Sequence, residues 1–323
     1  ADTIGFLEVT QVLPAPDTVD VEVNSIITVM FNRPVVPLGL SEDAGNLPNP
    51  VTFEPALEGE GEWLNTSIYV FRPKVLAGST TYAATVKGGL TDTTGGLLEE
   101  DFAWSFTTIP PQVTTSEPFF GAFDVALRQP IIVTFNQPMD KASTQEAFSV
   151  KAGDVAVRGS FKWDENTVMT FTPAGMELAN TYVATVATTA KAADGRTPLA
   201  EVYSWSFNTV LFPGIQSTRP ADGGTLDTYG GFQIFFNSPM DEKTLMEDVT
   251  IIPEATAVYT YYSNYDKSLY LNYNFKPSTN YTVTLGPDMA DPYGNKIGAT
   301  TTIAFTTRPY DPLFQLNTRG DVG

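Results

Sequence analysis

The side chains of this chain that could do chemistry are carboxylates, because the sequence has 37 Asp and Glu but neither His nor Cys. That composition excludes a Ser-His-Asp triad, a Cys nucleophile and a Cys/His zinc site. A pair of carboxylates could still hydrolyse a glycoside. The nearest such pair is Glu60 and Glu62 beside Trp63, but a single aromatic residue does not outline a sugar cleft. We therefore predict a protein without catalytic residues.

Asp-to-Gly turns are the candidate calcium ligands. They recur at residues 92–95, 194–195 and 291–294. Each turn offers one carboxylate, whereas Ca²⁺ takes several oxygen ligands. An Asp that caps a tight turn, with Gly at positive φ, explains the pattern, so we predict no metal site and no cofactor.

Tyrosines are concentrated in the window 259–273, which is predicted to form a hairpin. They are too many for one buried face, so some should be exposed. Amphipathic rings are typical of protein interfaces and of sugar-stacking surfaces. The alternative is aromatic packing across the strands. The possible contact patch comprises Tyr259, Tyr261, Tyr262 and Tyr265.

Four landmarks recur in one order about every hundred residues, which indicates tandem domains. They are a Phe-Asn-x-Pro string, a Tyr in a β-rich run, the Asp-to-Gly turn and a closing Phe-x-Thr. The strings begin at Phe31, Phe135 and Phe236, the tyrosines are Tyr82, Tyr182 and Tyr281, and the closing residues are Phe106, Phe207 and Phe305. We predict domains at 1–108, 109–209 and 210–308, named the first, second and third repeat, and a linker or truncated start of a further domain at 309–323.

Each repeat is predicted to be a β-sandwich, since short β-branched and aromatic runs alternate with turn residues. The Asn of each Phe-Asn-x-Pro string should bond nearby backbone where the Pro ends a strand. The repeated tyrosines are predicted to be tyrosine corners, with the hydroxyl bonded to backbone across a turn. Short helices capped by Asp are predicted at 140–148 and 241–248.

Charge and hydropathy argue against two kinds of partner, nucleic acid and a membrane-spanning environment. A net charge of −19 disfavours nucleic acid, whose phosphates are bound by clustered Lys and Arg. No window has the roughly 18 apolar residues of a membrane span. The joint at 109–111, Ile-Pro-Pro, should be stiff because Pro restricts the backbone, which predicts a rod-like particle.

The landmarks resemble the bacterial Ig-like domains that occur in tandem in S-layer proteins and at the N-terminal end of bacterial alpha-2-macroglobulin-like proteins. The resemblance spans all three repeats. It is carried by Phe-Asn-x-Pro followed by Met-Asp, the Asp-x-x-Gly turn and Trp-Ser-Phe-x-Thr, although the first repeat has Val35-Val36 in place of Met-Asp and the third lacks the Trp. The runs 31–38 and 50–55 are most similar to the leading domain of the alpha-2-macroglobulin type.

The resemblance implies three tandem Ig-like β-sandwiches in an all-β chain. It implies a non-catalytic structural or docking segment of a larger bacterial surface or secreted protein, the N-terminal Ig-like part of an alpha-2-macroglobulin-like protease inhibitor. The location would be extracytoplasmic, and the partners would be other domains of the parent chain. The alternative is an S-layer or cell-wall adhesion module that binds envelope glycan or protein. The thioester of the family requires a Cys, which this chain lacks.

Overall fold

The computed structural model describes residues 5–38, 47–227 and 230–311. The chain packs into two compact units, and the second repeat contributes segments to both. The first unit comprises Ala1–Phe120, Gln129–Ala174 and Val183–Ser206, and the second comprises Gly121–Arg128, Gly175–Tyr182 and Phe207–Gly323. In the described ranges, no helix is both long and apolar enough to cross a membrane. Of the predicted linker, residues 312–323 lie outside the described part.

The first repeat, which lies in the first unit, forms two sheets. Its strands are β1 (Val9–Leu13), β2 (Thr18–Val21), β3 (Ile27–Phe31), β4 (Val51–Glu54), β5 (Gly59–Asn65), β6 (Ile68–Pro73), β7 (Thr81–Val86) and β8 (Phe102–Thr108). The strand orders are β1-β3-β6-β5 and β2-β8-β7-β4. Only β2 and β8 pair in parallel among these described strands. Buried residues from both sheets, such as Val29 and Phe106, form one core.

The second repeat has the same plan with one helix. Its elements are β9 (Val113–Glu117), β10 (Ala122–Val125), β11 (Ile131–Phe135), α1 (Lys141–Ala147), β12 (Phe148–Ala152), β13 (Val155–Ala156), β14 (Gly159–Asp164), β15 (Val168–Pro173), β16 (Thr181–Val186) and β17 (Tyr203–Thr209). The strand orders are β14-β15-β11-β9 and β10-β17-β16-β12-β13. In β11, alternate side chains at 131, 133 and 135 are buried, as expected for a strand with one face on a core.

The third repeat lies in the second unit. Its elements are β18 (Ile215–Arg219), β19 (Gly224–Leu226), β20 (Phe232–Phe236), α2 (Glu242–Leu245), a 3₁₀ turn (Met246–Asp248), β21 (Val249–Ile252), β22 (Ala257–Ser263), β23 (Ser268–Tyr273), β24 (Asn280–Leu285) and β25 (Thr301–Thr307). The strand orders are β18-β20-β23-β22 and β19-β25-β24-β21. The prediction of an all-β chain of three tandem sandwiches is confirmed.

The repeated landmarks have the predicted local structure. The backbone N–H of Ala77, Glu177 and Lys276 donates to the hydroxyls of Tyr82, Tyr182 and Tyr281 at 2.9, 2.8 and 2.9 Å. These bonds confirm the tyrosine corners. Both short helices are also confirmed, since Asp140 accepts from the N–H of Ser143 and Asp241 from that of Lys243.

Candidate functional site

The linker between the first and second repeats, named the first joint (residues 109–112), has a partner for each backbone donor and acceptor. Ile109 donates to Val21 and accepts from Ser79, and Pro111 accepts from Ala200. Asn136 supplies the other contacts. Its Nδ2 donates to the Pro110 carbonyl at 2.9 Å, its Oδ1 accepts from the Gln112 N–H at 2.9 Å, and its backbone N–H donates to the Gln112 carbonyl at 3.1 Å. The predicted backbone role of this Asn is confirmed.

Gln137, the variable residue of the second Phe-Asn-x-Pro string, completes the first joint. Its side chain is buried, and Nε2 donates to the Ile109 carbonyl at 3.3 Å. It packs over Gly78 of the first repeat, where a Cβ would lie 2.9 Å from Oε1 of Gln137. Thr197 Oγ1 lies 3.3 Å from the Gly78 carbonyl oxygen. Sequence reasoning missed this contact because the position reads as freely variable.

The linker between the second and third repeats, named the second joint (residues 210–214), is held differently. Val210 donates to Val125, and the Gly214 carbonyl accepts from the Asn237 N–H at 3.0 Å. Lys267 Nζ lies 2.6 Å from Asp124 Oδ2, and both side chains are about three-quarters buried, with 23% and 25% exposed. The same Nζ donates to the Asn237 carbonyl at 3.2 Å. An ion pair between the second and third repeats therefore belongs to this joint.

The Asp-to-Gly turns are closed by their own hydrogen bonds. Asp92 Oδ1 accepts from the N–H groups of Thr94 and Gly96, and Oδ2 pairs with Arg33. Burial raises the pKa of Asp92, but these hydrogen bonds outweigh it and hold the pKa below its ordinary value. Asp291 Oδ1 likewise accepts from Tyr293 and Asn295. The described residues contain no group of three or more acidic, His or Cys side chains that could hold a metal ion.

Glu60 and Glu62 do not form a carboxylate pair against an aromatic wall. Glu62 bonds Arg72 through Nε at 3.0 Å and Nη2 at 2.9 Å. Trp63, the next residue of β5, packs against Phe31 with ring centroids 5.8 Å apart. Because successive side chains of a strand point to opposite faces, the Trp lies on the core side and the acids on the outer side.

The structure separates the four tyrosines of the predicted contact patch. Tyr259 and Tyr261 are about half exposed on β22, and Tyr265 is 99% exposed in the turn after it. Tyr262 points to the other face, where it packs against Phe236 and its hydroxyl accepts from the Met240 N–H at 2.8 Å. Tyr262 is therefore held by the core side of the sheet and does not share the outer face.

Tyr270 of β23 completes the outer aromatic surface. Its ring centroid lies 5.8 Å from that of Tyr259 and 5.8 Å from that of Tyr261. Tyr261 is its direct partner across the strands. Burial and the neighbouring Tyr259 raise the pKa of Tyr270. We name Tyr259, Tyr261 and Tyr270 the tyrosine ladder.

Comparison with known proteins gives one family and several remote structures. A family model described as "Bacterial Ig-like domain" matches residues 2–108, 108–209 and 212–307. No curated protein matches the chain.

Four solved structures illustrate the remote similarity. The chain is 13% identical to native alpha-2-macroglobulin from Escherichia coli spanning domains MG0-NIE-MG1, covering 92% of this chain and 96% of that one, with a TM-score of 0.33. The N-terminal part of the bacterial S-layer protein SbsC is 14% identical over 61% of this chain and 44% of that one, with a TM-score of 0.26. An L,D-transpeptidase from Mycobacterium tuberculosis H37Rv is 15% identical over 61% of this chain and 89% of that one, with a TM-score of 0.23. The chain covers 62% of an LD transpeptidase solved with imipenem, at 14% identity, 47% of this chain and a TM-score of 0.24.

Proposed function

Because the chain belongs to the bacterial Ig-like domain family, we propose that its three repeats form a non-catalytic positioning segment of a larger bacterial surface or secreted protein. The segment sets the distance and angle between functional parts of the parent chain. The observation that carries this proposal is the first joint, where one Asn side chain bonds the linker at two backbone groups.

The physical argument is one of linker entropy. Fixing the backbone of a flexible linker in one conformation costs about 1–2 kcal/mol of conformational entropy per residue. Contacts between the repeats and the linker must offset this cost. Here Pro110 and Pro111 have little freedom to lose, and the linker's polar groups are already bonded to the two repeats. Breaking the joint would leave the Pro110 carbonyl and the Gln112 N–H without their Asn136 partner. The joint therefore favours one angle over an ensemble.

The test uses distance measurement between spin labels on the whole chain. The sequence has no Cys, so an introduced pair is labelled without background. Ala103 and Ser204 are exposed and lie on the last strands of the first and second repeats. We expect a narrow distance distribution for this pair, and a broad one would refute the proposal.

Asn136→Ala tests the cause. Removing two hydrogen bonds should cost about 1–3 kcal/mol and broaden the distribution. Asn32→Ala is the matched control, because Asn32 has the same place in the first repeat but bonds Phe6 and Glu8, away from the labelled joint. Equal broadening in both variants would indicate a general loss of stability instead.

The finer assignment within this proposal is the N-terminal Ig-like part of an alpha-2-macroglobulin-like protease inhibitor. Its support is the resemblance of the first Phe-Asn-x-Pro region. The open reading frame of the parent tests it directly. Macroglobulin domains downstream would agree with it, whereas a surface-layer anchor would favour the adhesion alternative.

A further inference from the structure

The tyrosine ladder occupies positions that the sandwich does not require to be aromatic. In the second repeat, the β14–β15 register places Ser160 and Lys162 where the third repeat has Tyr259 and Tyr261. The first repeat has glutamates at those positions of β5. These two positions of the outer strand are thus polar or charged in two repeats and aromatic in the third. Core packing does not explain the ladder.

A glycine fixes the central ring of the ladder. A Cβ at Gly231 would lie 2.5 Å from the Tyr270 hydroxyl oxygen, so the ring occupies the space that a side chain would fill. Gly231 stands five residues before the Phe of its Phe-Asn-x-Pro string. At that position the first and second repeats have Ile26 and Pro130. The third repeat therefore has both the ring and the glycine that admits it. Tyr270 is held in place before any ligand binds, which reduces the entropy cost of binding.

Polar uncharged side chains flank the rings on the same face. Gln233 pairs with Tyr270 across β20 and β23, and Asn272 pairs with Tyr259 across β22 and β23. Residues that pair directly across strands point to the same side of the sheet. The nearest charged residue in this row is Arg219, which pairs with Gln233 and stacks over Phe235 at 5.3 Å. The face offers ring faces, phenol hydroxyls and amides.

We propose that the tyrosine ladder binds an uncharged glycan chain, a role that goes beyond the positioning function and does not depend on it. The C–H face of a pyranose stacks on a phenol ring, and its hydroxyls bond amides and phenols at the edges. Exposed tyrosines suit this because they supply rigid contact area with few torsions to fix. The choice of an uncharged chain follows from charge, since the protein carries −19 overall and repels polyanions.

The test is calorimetric titration of the whole chain with neutral β-1,4-linked hexasaccharides, namely cellohexaose, chitohexaose and mannohexaose. A hyaluronan hexasaccharide is the anionic comparison. We expect at least one neutral hexasaccharide to bind and the anionic one to bind more weakly. Absence of binding by all three neutral sugars, or preference for hyaluronan, would overturn the proposal.

The variants borrow residues that the fold already accepts elsewhere. Tyr259→Ser and Tyr261→Lys introduce the residues of the second repeat at the same register, so unfolding is not expected. Together they should weaken binding about tenfold or more, as for the loss of two aromatic contacts. Tyr265→Ser is the control, because Tyr265 is the more exposed tyrosine but lies off the ladder. Unchanged affinity in the double variant overturns the site.

Self-association is the competing explanation for an exposed aromatic face. Sedimentation equilibrium of the unaltered chain and the double variant resolves it. A dimer that the double variant abolishes, together with absence of sugar binding, would identify a second copy as the occupant and overturn the glycan proposal. A rigid first joint with no sugar binding would leave the positioning function intact.

Discussion

The two joints connect the same kind of domain but use different interactions. The first is held by neutral hydrogen bonds, with Asn136 on the linker and the buried Gln137 over Gly78. The second adds a partly buried ion pair between Asp124 and Lys267. Asn136 and Gln137 belong to the second Phe-Asn-x-Pro string, whereas Asp124 and Lys267 lie outside the repeated landmarks. The two joints therefore differ in whether a landmark supplies the side chains that hold them.

Corresponding residues show why the ion pair occurs at one joint only. Asp20 in the first repeat matches Asp124 in the second: both have φ near the left-handed region, 56° and 57°. The partner position differs, since Thr167 of the second repeat stands where the third has Lys267. The first joint has the acid without the cation. The same domain fold therefore has two different joints. The first depends on side-chain packing at Gly78, and the second depends on an ion pair that salt can weaken.

The largest predicted effect is at the first joint. Gly78→Leu introduces the residue that the second repeat has at the same distance before its corner tyrosine, Leu178. At Gly78 the side chain would meet Gln137 and the Ile109 carbonyl. Overpacking of this kind costs about 1–3 kcal/mol. We expect a broader Ala103–Ser204 label distribution and a lower thermal midpoint, while a second label pair at Thr181 and Thr302, both exposed residues of the second unit, stays unchanged.

A smaller effect is predicted for the ion pair of the second joint. Lys267→Gln and Asp124→Asn, alone and combined, form a double-mutant cycle, and Asn tolerates the positive φ of Asp124. The coupling energy should be about 1 kcal/mol, above that of an exposed pair because both side chains are mostly buried. High salt should broaden the Thr181–Thr302 distribution in the parent chain but not in the double variant. Salt dependence that survives in the double variant would contradict the assignment.

Residues whose partners are near in sequence could be predicted. The corner tyrosines bond backbone five residues earlier, and Asp140 caps a helix that begins at the next residue. Such contacts are fixed by local geometry and turn chemistry. Strict alternation along β22 would also have separated Tyr262 from Tyr261, since neighbouring side chains of a strand point to opposite faces.

The joints and the ladder depend on contacts that sequence patterns do not encode. Gln137 meets Gly78, and Lys267 meets Asp124, across long separations in the chain. Neither pair has a spacing or a composition that marks it. Gly231 was the available signal for the ladder, because it replaces Ile26 and Pro130 of the other repeats in an otherwise apolar strand start. Its meaning required knowledge of which ring it admits.

Acid should destabilise the second repeat through the Asp194 turn, which lies beside the first joint. Burial raises the pKa of Asp194, but hydrogen bonds from Thr197 and Arg196 outweigh it, so the folded pKa is lower than the ordinary value. A lowered pKa means that the charged form stabilises the fold above a pH of about 4 and that this stabilisation is lost as pH falls. Thr197 Oγ1 also lies 3.3 Å from the Gly78 carbonyl oxygen of the first repeat. We expect Asp194→Asn to flatten the fall in thermal midpoint below pH 4, with Thr197→Val intermediate.

The smallest effect is predicted for an attempt to transfer the ion pair. Thr167→Lys gives the first joint the cation it lacks opposite Asp20. Lys267 has a φ of 53°, whereas Thr167 does not have a positive φ. The side chain of a Lys at position 167 would therefore point in a different direction from that of Lys267. Asp20 is also exposed, and exposed pairs contribute about 0–1 kcal/mol. We expect no new salt dependence of the Ala103–Ser204 distribution. Salt dependence equal to that of the second joint would show that residue type alone, and not backbone geometry, accounts for the difference between the two joints.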